Sequence, residues 1–254
     1  MTNKLLKAAL RPHKSVKYGL ELVDLRKIGI NPCVVFPLIL ELYSQRGFWD
    51  YVHITLNKVK NSYQDPRLGG WMLGYPAILL YILVRMIKPK IVIETGVGPG
   101  GSTALILLAL WKNADGHLYS IDLPGNDALV YPKIGRCYNI HVPPGYSVGW
   151  LVPPWLKERW SLKLGDSKEL LPELISRLDS VDMFLHDSLH TDEHVLFELS
   201  TVFPHLAKNG LLLADDVNEY WSMAFVKFCE EKGLPFIVLM NRLGIARKAQ
   251  WVRS

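Results

Sequence analysis

Short apolar runs alternate with longer, partly polar segments from residue 91 to about residue 248. Short apolar runs followed by helix-like segments are typical of buried strands in α/β proteins. Strands are predicted at 91–94, 117–122, 160–164, 181–186 and 211–214, with a closing pair at 236–240 and 244–248, and helices at 104–111, 168–178, 192–206 and 220–232. The alternation predicts an α/β fold with a doubly wound, mostly parallel seven-stranded sheet, which binds ligands at the carboxyl ends of its strands.

The beginning of the chain lacks this alternation. Helices are predicted at 34–43 and 48–59, with breaks at Pro32, Gly47 and Pro66. We therefore predict an N-terminal helical extension, residues 1–70, in front of an α/β domain, residues 71–254.

One connection inside the predicted domain is unusually long. Residues 124–158 are rich in proline, tyrosine and tryptophan and carry no clear periodicity. Loops of this length are usually functional or disordered, and the aromatic content argues against disorder. We predict a lid over the substrate, with packing against a helix or a partner subunit as the alternative.

A glycine-rich turn follows the first predicted strand. Residues 94–103 read Glu-Thr-Gly-Val-Gly-Pro-Gly-Gly-Ser-Thr and lead into an apolar helix. Such a turn lets the backbone approach a ligand and directs helix N–H groups at negative charge, which predicts a nucleotide-like cofactor. The spacing of Gly96, Gly98 and Gly100 misses the dinucleotide fingerprint. Glu94 would repel a pyrophosphate but attract the ammonium group of a methionine moiety.

Two further acids follow strands of the predicted sheet. Asp122 ends the second strand, where a carboxylate can accept the hydroxyls of a ribose. Asp166 follows the third strand, where it can border an adenine ring. Acids at such positions also cap helices, and at Asp166 both roles can coexist because a helix starts there.

In their order along the chain, these motifs resemble the cofactor-binding motifs of class I S-adenosylmethionine-dependent methyltransferases. The resemblance covers residues 91 to about 249. It implies a Rossmann-like methyltransferase fold. It also implies that Glu94, Gly96, Gly98 and Ser102 line the methionine part of S-adenosylmethionine, Asp122 the ribose and Asp166 the adenine.

Acidic residues also follow the fourth and fifth strands. Asp187 ends the fourth strand, and Asp215 and Asp216 end the fifth, so that parallel packing could bring the three carboxylates to one point. Crowded carboxylates repel each other unless a cation neutralises them, and oxygen ligands favour Mg²⁺, Mn²⁺ or Ca²⁺. The alternative is that these acids cap helices or are solvated.

The arrangement is similar to that of metal-dependent O-methyltransferases that act on macrolide sugars, and of related proteins of cephalosporin biosynthesis. In that group an Asp-x-x-His pair after the fourth strand, here Asp187 and His190, joins two adjacent acids after the fifth. The resemblance implies that a divalent ion lowers the pKa of a substrate hydroxyl and that His190 accepts its proton. A metal-independent methyltransferase acting on another nucleophile, and a non-catalytic cofactor-binding protein, remain alternatives.

Composition and charge limit the kinds of binding partner that we expect. The net charge of +5 comes partly from an N-terminal cluster, Lys4, Lys7, Arg11, Lys14 and Lys17, which is typical of a solvated tail. No nucleic-acid-binding motif accompanies it, so we expect no nucleic-acid partner. The resemblance implies a hydroxylated small molecule or sugar as substrate. The most apolar stretch, 71–87, is too short for a membrane span and contains Arg85. Three scattered cysteines and the absence of a signal-peptide core predict a cytoplasmic protein, with a homo-oligomer possible.

Overall fold

The sheet of the protein is the predicted one. The structure, a computed structural model, describes residues 23–63, 75–123, 128–131, 136–139, 142–143 and 145–248. The strands are β1 (Ile91–Thr95), β2 (His117–Asp122), β3 (Ala128–Tyr131), β4 (Arg136–Asn139), β5 (Trp160–Leu164), β6 (Val181–His186), β7 (Leu206–Ala214), β8 (Phe236–Leu239) and β9 (Leu243–Arg247). Seven of them form one sheet in the order β5-β2-β1-β6-β7-β9-β8, in which β9 is antiparallel to β7 and β8.

Helices cover both faces of the sheet. They are α1 (Val35–Tyr43), α2 (Arg46–Tyr63), α3 (Tyr75–Ile87), α4 (Gly101–Asn113), α5 (Ser167–Ile175), α6 (Asp192–Val202) and α7 (Ala224–Glu231), with 3₁₀ helices at Asp24–Ile28, Pro32–Val34, Pro154–Arg159 and Phe203–His205. Because side chains alternate along a strand, Met183 and Leu185 pack into the core that contains α3 and α4, while Phe184 between them packs into the core that contains α5, α6 and α7. The doubly wound α/β prediction is therefore confirmed.

The starts of two elements differ from the sequence prediction by four and five residues. Helix α7 begins at Ala224 rather than at residue 220, because the side chain of Asn218 accepts hydrogen bonds from the N–H groups of Tyr220 and Trp221 and holds them in a turn. Strand β7 begins at Leu206, five residues before the predicted start, because its first part pairs with Val181 across an irregularity in register.

The predicted lid contains regular structure that the sequence pattern does not indicate. Strands β3 and β4 form a separate antiparallel pair, and a 3₁₀ helix covers Pro154–Arg159. Residues 124–127, 132–135, 140–141 and 144 of this segment lie outside the described residues, as do 1–22, 64–74 and 249–254. The division at residue 70 and the covering role of 124–158 stay predictions.

The N-terminal helices are joined to the sheet by apolar packing and by one polar cluster. Leu42, Val52 and Val59 of α1 and α2 are buried in the same core as α3 and α4. Within the described residues, no helix is long and apolar enough to cross a membrane.

The polar cluster links α1, α3 and α4. The carboxylate of Glu41 accepts two hydrogen bonds from Arg85, at 2.7 and 2.9 Å, and one from the hydroxyl of Tyr81, while Arg85 also bonds Asn113. These bonds lower the pKa of Glu41 to about 2. The side chains of Glu41 and Arg85 are only 27% and 17% exposed, so the pair is shielded from solvent more than an ordinary surface ion pair.

We expect Arg85→Met to destabilise the protein by about 2 kcal/mol, because charge-assisted bonds are lost and Glu41 keeps a poorly solvated charge. Urea unfolding at constant slope measures the change. Lys27→Met is the matched control, since its ion pair with Asp24 joins two exposed side chains and should matter by less than about 0.5 kcal/mol. Equal effects of the two substitutions would contradict the anchoring role of Arg85.

Candidate active site

The glycine turn lies between β1 and α4, at the carboxyl edge of the sheet. Gly96 has φ +83°, and a Cβ atom there would lie 1.9 Å from the carbonyl oxygen of Asp187. Gly98 and Gly100 have φ values of +51° and +92°. Since a side chain at Gly96 would be both strained and obstructed, the turn can pass this close to the end of β6 only with glycine.

Glu94 is completely buried beneath this turn. Its carboxylate accepts hydrogen bonds of 2.8 Å from the hydroxyls of Ser102, Thr103 and Ser120, and Ser120 is its register partner on β2. Burial outweighs these bonds and raises the pKa of Glu94 to about 7. Of the predicted methionine-binding residues, Gly96, Gly98 and Ser102 line the larger of two cavities, whereas Glu94 lies behind them.

Asp122 holds the turn in place from β2. Its Oδ2 atom accepts the N–H groups of Val97 at 3.1 Å and Gly98 at 2.7 Å, and its Oδ1 atom accepts that of Leu123 at 2.8 Å. Burial raises the pKa of Asp122. Oδ2 already accepts two hydrogen bonds, but Oδ1 accepts only one, so capping the turn leaves Oδ1 capacity for a ribose hydroxyl.

Two adjoining cavities open at this edge. The larger has a volume of about 420 Å³, the smaller about 220 Å³, and Gly96 and Ser188 line both. Asp122, Asp166 and His194 line the smaller one. Asp166 also caps α5 by accepting the N–H of Lys168 at 2.8 Å, so its capping role and its place in the cavity coexist as expected.

The second half of the predicted lid walls this region. The N–H groups of Gly149 and Leu151 donate to the carbonyls of Gly98 and Pro99, both at 2.8 Å. Val142 and Val148 line the smaller cavity. This part of the segment is therefore fixed to the glycine turn.

The predicted acids and His190 meet in the larger cavity. Nε2 of His190 lies 3.8 Å from Oδ1 of Asp187 and 3.7 Å from Oδ2 of Asp216. Burial lowers the pKa of His190 to about 3, so its imidazole is neutral at physiological pH. Burial and the neighbouring aspartates raise the pKa of Asp187 well above its usual range and that of Asp216 to about 6.

Asp215 has a partner that the sequence analysis does not foresee. The guanidinium of Arg242 donates from Nε to Oδ1 at 2.8 Å and from Nη2 to Oδ2 at 2.5 Å, and its Nε lies 3.3 Å from Oδ1 of Asp216. Arg242 follows the turn between β8 and β9 and carries no local motif, so only the pairing of β9 with β7 brings it here.

The three aspartates converge, but their present arrangement does not fit a metal ion. Both oxygens of Asp215 are occupied by Arg242. Across the described ranges, no group of three or more His, Cys, Asp or Glu residues is placed to hold one. Carboxylates suit a hard cation chemically, so the mismatch lies in the geometry and in the arginine.

Glu198, which no motif of the sequence singles out, organises the wall behind the site. It is fully buried in α6 and accepts hydrogen bonds from Thr95 at 2.6 Å, Ser188 at 2.9 Å, His186 at 2.6 Å and His194 at 2.9 Å. The two histidines hold the pKa of Glu198 well below its usual range. The four-residue spacing of His194 and Glu198 is visible in the sequence and places both on one face of a helix. The sequence does not show that this face is turned inward.

Comparison with known proteins agrees with the geometry. A family model described as a methyltransferase domain matches residues 93–217. No curated protein matches the sequence.

Several solved structures share the fold. The methyltransferase PaMTH1 of Podospora anserina, solved with S-adenosylhomocysteine, superposes with a TM-score of 0.54 at 14% identity, covering 79% of this chain and 88% of that one. TomG of Streptomyces achromogenes, an O-methyltransferase of tomaymycin synthesis solved with S-adenosylmethionine, gives 0.52 at 16% identity, covering 77% and 90%. The calicheamicin methyltransferase CalS11 gives 0.50 at 18% identity, covering 80% and 92%. At these identities the neighbours establish the fold alone.

Residues 93–217 thus form a methyltransferase domain, and the strand order and the succession of motifs agree with the resemblance to class I S-adenosylmethionine-dependent methyltransferases. The predicted resemblance is thereby confirmed.

The raised pKa of Glu94 predicts how the stability of the protein depends on pH. A carboxyl whose pKa rises on folding contributes stability that is complete below its unfolded value of 4.5 and is lost as the pH rises through about 7. Thermal unfolding of the cofactor-free protein between pH 5 and 8 should therefore show wild type losing stability relative to Glu94→Gln as the pH rises. Substitution of the exposed Glu219 by Gln is the control and should run parallel to wild type. Parallel curves for Glu94→Gln as well would contradict the assignment.

Proposed function

We propose that the protein transfers the methyl group of S-adenosylmethionine to a hydroxyl group of a small molecule or sugar. The observation that carries the proposal is the position of His190 and its flanking carboxylates in the larger cavity, beside Gly96 and Ser188, which also line the smaller one. A base and a methyl donor can then meet on one acceptor oxygen. TomG, which shares the fold, is an O-methyltransferase, and this is in line with an oxygen acceptor.

The two cavities suit the two ends of the cofactor. We assign the methionine part to the larger cavity, beside Gly96, Gly98 and Ser102, and the adenosine part to the smaller one. Asp122 would then accept ribose hydroxyls and Asp166 would border the adenine. In this assignment Glu94 shapes the methionine site from behind, through its bond to Ser102.

In the proposed reaction His190 is the general base. Its neutral imidazole accepts the proton of the acceptor hydroxyl as the oxygen attacks the methyl carbon and the carbon–sulfur bond breaks, leaving S-adenosylhomocysteine. An imidazole with so low a pKa is a weak base, so the imidazolium needs stabilisation. Asp187 and Asp216 lie 3.8 and 3.7 Å from Nε2. Asp216, whose pKa of about 6 leaves it mostly charged at neutral pH, supplies this stabilisation once the proton has moved. Most of the acceleration would come from holding the oxygen and the methyl group in line.

Assistance by Mg²⁺ or another divalent cation, on Asp187, Asp215 and Asp216, stays a prediction of the sequence. When bound, such an ion would lower the pKa of the acceptor hydroxyl. Asp187 and Asp216 could contribute oxygens directly, but Asp215 would first have to release Arg242. The cytoplasmic location and a homo-oligomeric state also stay predictions.

Two other functions remain to be separated from this one. A methyltransferase acting on another nucleophile would use the same cofactor cavity with the acids only shaping the acceptor site. A cofactor-binding regulator would bind S-adenosylmethionine without transferring its methyl group. Methyl transfer from labelled S-adenosylmethionine to a panel of catechols, flavonoids and glycosides distinguishes them, because only the proposed enzyme yields a methyl ether.

We expect His190→Gln to bind S-adenosylhomocysteine nearly as well as wild type in calorimetry, while turnover of any accepted hydroxyl compound falls by about 100-fold or more. The matched control is His205→Gln, at an exposed histidine of the 3₁₀ helix Phe203–His205 that lines neither of the two cavities; it should leave both quantities unchanged. Unchanged turnover in His190→Gln would reject His190 as the base. Failure of wild type to bind S-adenosylhomocysteine would reject the cofactor assignment.

A further inference from the structure

The acidic end of the larger cavity already contains a positive charge of the chain's own. Asp187, Asp215, Asp216 and Arg242 all line this cavity. Arg242 binds Asp215 through both of its carboxylate oxygens and approaches Asp216 within 3.3 Å. Two parallel N–H···O bonds of this kind are the strongest and most directional contact that an arginine makes with a carboxylate.

Both partners of this contact are fixed by the backbone. The turn before Arg242 has two left-handed residues, Met240 at φ +60° and Asn241 at φ +52°. The carbonyl of Arg242 accepts the N–H of Val217 at 2.7 Å, and the N–H of Asp215 donates to the carbonyl of His186 at 2.9 Å. The guanidinium and the carboxylate therefore meet because the β8–β9 turn and the end of β7 are tied to each other and to β6.

We infer that Arg242 is the built-in cation of this site. Its guanidinium occupies the position beside Asp215 and Asp216 where the sequence predicts a divalent ion. A guanidinium remains protonated at every physiological pH, so it supplies this charge permanently. A divalent ion at the same carboxylates would have to compete for both oxygens of Asp215 and would be repelled by the arginine. The native protein should consequently bind no divalent ion tightly at this site.

The inference concerns the same cavity as the proposed function but does not require an acceptor to test it. Ion binding can be measured on the cofactor-free protein by the electron paramagnetic resonance signal of free Mn²⁺. Removal of the arginine leaves three carboxylates around a vacated space, and affinity for hard cations rises with the number of charged oxygen ligands. We therefore compare wild type with Arg242→Met, which removes the charge, and Arg242→Lys, which retains it.

Arg242→Met is expected to bind one Mn²⁺ per chain at least about tenfold more tightly than wild type, because Asp215 becomes available as a ligand. Arg242→Lys should stay close to wild type, since an ammonium keeps the repelling charge. Arg177→Met is the matched control: it removes an arginine whose side chain is 66% exposed and whose partner is Glu173, and its Mn²⁺ binding should equal that of wild type.

Two results would overturn the inference. One is stoichiometric binding of Mn²⁺ by wild type with the affinity of Arg242→Met, and the other is no gain in binding in a folded Arg242→Met. If Arg242→Met fails to fold, the wild-type titration still decides, and Arg242→Gln replaces it as the neutral variant. If the proposed methyl transfer is wrong, no methylated hydroxyl compound will form in the activity assay. That outcome is measured separately and leaves the ion-binding result unaffected.

Discussion

The tightest steric constraint among the described glycines is at Gly96, where the glycine turn approaches the end of β6. A side chain at Gly96 would collide with the carbonyl oxygen of Asp187. The turn is held from both sides. The N–H of Gly96 donates to Ile121 on β2, and the N–H of Asp187 donates to Thr95 on β1. Because these strands are locked at this distance, the smaller cavity and the larger, acidic cavity share Gly96 and Ser188 in their walls. The adjacency of the two cavities follows from backbone packing.

Buried acids concentrate at this edge, and the protein stabilises each of them differently. Glu94 is surrounded by three hydroxyls, which do not fully compensate its desolvation and leave its pKa raised. Glu198 is held between two histidines and stays charged. Asp215 is matched by the guanidinium of Arg242. An isolated buried carboxylate is costly, so the partner that each acid finds decides whether it acts as a structural anchor or as a polar group of the cavity.

The local pattern was sufficient for most of the fold. Short apolar runs placed the buried strands β1 and β6 within one residue of their observed bounds, and the alternation of strand and helix patterns also located β2 and the partly buried edge strand β5. Boundaries were missed where tertiary contacts override local preference, as at Leu206, whose strand starts early through pairing with β6, and at Ala224, whose helix is delayed by the Asn218 turn. The β3–β4 pair was missed because short strands outside the main sheet carry little hydrophobic periodicity.

The sequence alone determined the class of the protein, because a glycine turn after a strand, followed by acids at successive strand ends, depends on local order along the chain. It also indicated which carboxylates and which histidine would share one edge, since parallel strands bring their carboxyl ends together. Only the tertiary structure decided what these groups contact. Glu94 turns inward to hydroxyls, Glu198 enters the wall of the site, and Arg242 reaches Asp215 from a distant hairpin. The charge balance of a site depends on partners remote in sequence, and no local motif encodes them.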